Sequence, residues 1–132
     1  MPICKVVLGA LIAAASQGCH SPSSLAFENS QPEDVESAVR SVMMSYSSAR
    51  EDNGHFVTGW EDEPLEAVGR GLPAGARRLR ARYDVRVKGA AVEAWTRAEL
   101  FVSHGAHRHT WDWIEAGALE KRLLERIGRA LP

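Results

Sequence analysis

Cysteine is scarce in this chain: Cys4 and Cys19 are its only two, both near the N-terminus. A disulfide framework or a cysteine-based metal site is therefore excluded for everything after Cys19. Aromatic residues make up only 7% of the 132 residues, and the formal net charge is −1, which gives no reason to expect nucleic acid as a partner. No apolar run reaches the roughly 20 residues that a membrane-spanning helix requires. The sequence contains no nucleophile elbow, no Gly-rich phosphate loop and no zinc-hydrolase helix motif. Its carboxylates and histidines fall at no spacing that assembles a general acid with a base. The composition points to a non-enzymatic domain with no cofactor and no evident small-molecule substrate.

What the N-terminus does contain is an export signal. Met1 and Lys5 supply a short positive end, and residues 6–15 carry no charge. That length suits the apolar core of a secretory signal peptide. Ser16-Gln17-Gly18-Cys19 then resembles a lipobox, in which Gly18 and Cys19 fit the pattern and Ser16 and Gln17 depart from it. The expectation is a lipoprotein signal peptide over 1–18, lipid attachment at Cys19, a flexible polar tether over 19–31 and one α+β domain over 32–131. The protein is then held at the bacterial outer membrane, facing the periplasm, with the bilayer as its first partner. Cleavage after Ala13-Ala14-Ala15 is the alternative and leaves a soluble exported protein.

The remaining residues alternate between two periodicities. Val35, Ala38, Val39, Val42, Met43 and Tyr46 recur at helical spacing after Pro32, with Ser30 and Glu33 placed as a capping box; a helix over 32–45 is expected. Asn53-Gly54 predicts a type I′ turn joining strands over 46–51 and 55–61, with Phe56, Thr58 and Trp60 toward the core. Residues 62–76 hold two prolines and three glycines and read as a long loop with one helical turn near Leu65. Leu79, Ala81, Tyr83, Val85 and Val87 then alternate with charged residues. Folding about Gly89-Ala90 sets Val92 opposite Val87 and Leu100 opposite Leu79, while Glu93 meets Arg86 and Glu99 meets Arg80. Leu119, Leu123, Leu124, Ile127 and Leu131 predict a closing helix over 117–130. The expected fold is a four-stranded antiparallel sheet with both helices on one face, in the order α-β-β-β-β-α.

A lipobox-like cysteine, a polar tether, an acidic helix start, Gly-His-Phe-Val-Thr-Gly-Trp over 54–60, a longer hairpin and a Leu-rich final helix together resemble the helix-grip domains of BamC-type lipoproteins. The resemblance spans about 32–131 and implies the same fold and an envelope location. BamC-type proteins carry two such domains and a long unstructured segment, whereas this chain has room for one domain and lacks that segment.

Three groups of residues invite a functional reading. Trp95 and Phe101 fall on the charged face of the long hairpin, near Arg82 and Arg97, where large aromatics either mark a partner surface or pack under arginine side chains. Trp111 and Trp113 share a face and are expected in the core, with the edge of a groove as the alternative. His104, His107 and His109 offer a possible zinc or copper site, against the simpler reading of a polar turn. The favoured function is a lipid-anchored periplasmic binding or scaffold protein with an envelope partner, and metal binding through the three histidines is the alternative.

Overall fold

The computed structural model describes residues 22–132. The expected signal peptide and the lipid attachment at Cys19 lie outside the described residues. Within them a single antiparallel sheet carries seven strands: β1 (Ser23–Ala26), β2 (Arg50–Asp52), β3 (His55–Val57), β4 (Glu61–Glu63), β5 (Ala76–Lys88), β6 (Ala91–Ser103) and β7 (His109–Ile114). Two helices, α1 (Pro32–Met43) and α2 (Gly117–Arg129), pack on one face. A single 3-10 turn, Leu65–Val68, interrupts the loop after β4.

The long hairpin is the spine. β5 and β6 pair in the register that their two-residue alternation requires, with Val87 facing Val92, Ala81 facing Ala98 and Arg80 facing Glu99. Gly89 alone carries positive φ in the turn, as a type II′ connection needs at its first central position. At the other turn both Asn53 and Gly54 have positive φ, the mark of type I′. Inward residues of the sheet meet Val35, Val39 and Met43 of α1 and Leu119, Leu123 and Ile127 of α2 in one buried core.

The sheet is larger than the four strands expected. Both long strands share each outer edge between two short neighbours: β1 and β7 lie along β6, and β3 and β4 lie along β5. The presumed tether is shortened first. Residues 23–26 pair with 91–94, the Ser23 hydroxyl donates to the carboxylate of Glu120 in α2, and the Phe27 amide bonds the Ala90 carbonyl at 2.9 Å. Backbone pairing at an open edge recruits this segment, which has no apolar pattern of its own.

Residues 109–114 form the second addition, extending the strand layer beyond the histidine turn. The third correction concerns Trp60. β3 pairs as Val57 with Asp84, but β4 resumes as Glu61 with Ala81, so Gly59 and Trp60 together oppose the single residue Arg82. This β-bulge inverts the facing of everything after it. Trp60 leaves the core side, while Glu61 and Glu63 turn inward. At the start of α1 the N-cap is Gln31 with no side-chain cap, so the Ser30–Glu33 capping box does not form.

Inward-facing Glu63 is met by polar partners. Tyr46 donates to its carboxylate at 3.0 Å, Tyr83 donates to the same oxygen, and Arg126 of α2 donates to the Tyr46 hydroxyl at 2.8 Å. Desolvation first, and the neighbouring carboxylate second, hold both phenols above their ordinary pKa. This cluster ties β4, β5, the end of α1 and α2 together.

Candidate binding face

The helix-free face of the sheet collects the outward residues of β5, β6 and β7. On β5 these are Arg78, Arg80, Arg82, Asp84 and Arg86; on β6, Glu93, Trp95, Arg97, Glu99 and Phe101; on β7, His109, Trp111 and Trp113. With Trp60 delivered by the bulge, all four tryptophans of the protein lie here. None of them is in the core, which corrects the expectation for Trp60, Trp111 and Trp113. Trp113 is 63% exposed.

The rings are interleaved with guanidinium groups. Arg80 lies 3.7 Å from the centroid of Trp111 and 4.6 Å from that of Trp60. Arg78 covers Trp111 at 5.5 Å, and Arg82 covers Trp60 at 5.2 Å. Across the same layer Trp60 meets Trp113 at 6.4 Å, and Arg97 reaches Trp113 at 5.8 Å. The result is a ladder of alternating cations and rings running obliquely over three strands. Each step contributes on the order of 0.5–1 kcal/mol at an exposed site and fixes the orientation of a long side chain.

Carboxylates complete the ladder at its margins. Glu99, buried on this face, accepts from Arg80 Nε at 2.9 Å. Asp62 holds Arg78 at 2.9 Å, and Lys88 reaches Glu93 at 3.2 Å. The cross-strand neighbour of Glu93, Arg86, instead lies over Trp95 at 5.2 Å and 3.9 Å from Asp84. Asp84 itself contacts His55 Nε2 at 2.7 Å.

Of the residues singled out by sequence, Arg82, Trp95 and Arg97 line one groove of about 460 Å³, together with Val57, Thr58, Tyr83, Asp84 and Arg86. Phe101 does not join them. It sits six residues along the same strand, roughly 20 Å away, packed between Trp111 at 4.9 Å and His109 at 5.3 Å.

No protein-family model matches this chain, and no curated protein matches it. What the face can do must therefore be read from its chemistry. It offers planar cations for carboxylates and ring surfaces for apolar or planar groups.

The three histidines near the β6–β7 turn are not gathered into a ligand set. His104 Nε2 contacts the Thr110 hydroxyl at 2.8 Å, and the His109 ring stacks on Phe101. Among the described residues no three His, Cys, Asp or Glu side chains converge on a metal-sized site. No described helix is long and apolar enough to cross a membrane. The tryptophans of β7 were missed because large rings default to the core in a sequence reading. The signal that places Trp60 outward was present: a glycine inside a strand pattern marks a bulge.

Proposed function

We propose that this protein is a non-enzymatic, lipid-anchored binding or scaffold component of the bacterial cell envelope, anchored through Cys19 at the outer membrane and facing the periplasm. Its helix-free sheet face is the partner surface. The observation that carries this reading is the placement of all four tryptophans, with five arginines, on the one face no helix covers. Tryptophan and arginine are the residues most enriched at the energetic centres of protein interfaces.

The short distance between Cys19 and the fold supports the same reading. With β1 starting at Ser23, only four residue steps separate the expected anchor from the sheet, at most about 14 Å of extended chain. An acylated Cys19 then keeps the domain directly against the bilayer, close to other membrane-bound components. The test is photo-crosslinking in intact envelopes from a probe at Trp113, with a second probe at Met44 near the end of α1. A specific adduct from Trp113 but not from Met44 is expected. Equal labelling from both, or from neither, sinks the assignment. Mass spectrometry of the mature N-terminus tests the anchor separately.

A further inference from the structure

Arg82 and Arg97 face each other directly across the β5–β6 ladder. Like charges at opposed sheet positions destabilise a pair of strands, and elsewhere on this face the conflict is removed by a carboxylate. Arg78, Arg80, Arg86 and Lys88 each lie within ion-pair distance of an acidic side chain. Arg82 and Arg97 belong to no ion pair formed among the described residues. Both line the groove, as does Trp95. Asp84, the acidic residue in that groove, is engaged by His55.

The geometry points to an anion site: the Arg82–Arg97 groove receives a carboxylate from an acidic segment of a protein partner. This rests on the open sheet face being the binding face. Two guanidinium forks match a carboxylate in bidentate fashion. Their rings, Trp60 against Arg82 and Trp113 against Arg97, restrict where the forks swing and shed water when a partner closes over them. An ion pair in such a drying site gains strength that an open surface pair does not have. A lipid surface is the weaker fit. Anionic bilayers attract a diffuse excess of basic residues, whereas here the surrounding cations are neutralised internally and the demand is confined to one pair. The unneutralised pair is thus a local instability that a carboxylate relieves.

The test titrates the purified full chain with a hexaglutamate peptide, followed by tryptophan fluorescence, beside phosphatidylglycerol vesicles. Saturable, salt-sensitive binding of the peptide is expected, weakened roughly tenfold or more in R82Q/R97Q and unchanged in Arg129→Gln, an exposed arginine of α2 away from this face. Urea unfolding supplies the second readout. Each single substitution also gives up a ring contact, so the repulsion is read from the double-mutant cycle, in which Arg97→Gln is expected to cost more stability in the Arg82→Gln background than in the parent. Equal peptide affinity in R82Q/R97Q, no peptide binding, or vesicle binding through these arginines without peptide binding overturns the proposal; so does a cycle in which the two substitutions are additive or the second costs less than it does in the parent. In envelopes the Trp113 adduct is expected to disappear in R82Q/R97Q. Its persistence there refutes the carboxylate site and leaves the binding face standing, whereas no adduct from either chain removes the face itself.

Discussion

Replacing Arg80 tests the idea that the ladder is a built structure and not a set of solvated side chains. Its guanidinium touches two rings, Trp111 at 3.7 Å and Trp60 at 4.6 Å, and donates to Glu99. Arg80→Ala removes both ring contacts, at about 0.5–1 kcal/mol each. It also strands the Glu99 carboxylate, only 11% exposed, and a largely desolvated charged acceptor that loses its donor costs about 1–3 kcal/mol. The arginine is itself 26% exposed, so solvent trims the upper end. The expected loss is about 2–4 kcal/mol, a large share of the roughly 5–15 kcal/mol that holds a domain together. Urea unfolding followed by circular dichroism gives the free energy, while tryptophan emission reports the ladder directly. Arg80→Lys keeps charge but not the planar fork and should fall between the two. The double variant R80M/E99L should be more stable than Arg80→Ala, because no buried charge is left alone. A loss under about 0.5 kcal/mol for Arg80→Ala, the level of an ordinary surface change, would refute the reasoning.

Three further outcomes follow from the structure. A Cβ at Gly75 would lie 2.1 Å from the Ser103 carbonyl oxygen, so Gly75→Ala should cost about 2–3 kcal/mol; an unchanged melting temperature would mean that the two backbones do not approach so closely. The raised phenols of Tyr83 and Tyr46 keep their protons in the fold, whereas an unfolded tyrosine ionises near pH 10. Their contribution to stability is therefore complete below about pH 10 and lost as pH climbs beyond it. Tyr83→Phe should flatten that alkaline decline while costing about 1 kcal/mol at neutral pH, and a slope identical to the parent's contradicts the assignment. Ser23→Ala removes the hydroxyl that bonds Glu120, so it should loosen β1 and accelerate hydrogen exchange at the Phe27 amide; unchanged exchange would show that the backbone ladder alone holds the strand.

What the sequence disclosed depended on how loudly each segment separates its two faces. In the long hairpin, inward positions are almost all apolar and outward positions mostly charged over both strands. One register satisfies them, and the fold adopts it. The same parity exposes Arg82, Trp95 and Arg97 as neighbours on the outer face. The six residues of β7 carry no such signal: His109, Trp111 and Trp113 alternate with Thr110, Asp112 and Ile114, and each set mixes polar with apolar groups. Ser23–Ala26 is quieter still, since backbone hydrogen bonds to β6 place it and side chains hardly enter. Trp60 was misplaced by one residue of slippage, as Gly59 adds a step to β3–β4 that strict alternation does not contain.

The tryptophans illustrate why hydrophobicity alone could not locate the face. Burial in a core is one way to remove an indole from water; a layer of guanidinium groups is another, and it keeps the ring at the surface. Arg78, Arg80 and Arg82 cover Trp111 and Trp60 in this way. Such a surface is ordered before any partner arrives, and the entropy lost in fixing long side chains, on the order of 0.5–1.5 kcal/mol for each, is already spent in folding. Binding then needs only to supply what the fold withholds. On this face that is a negative charge between Arg82 and Arg97.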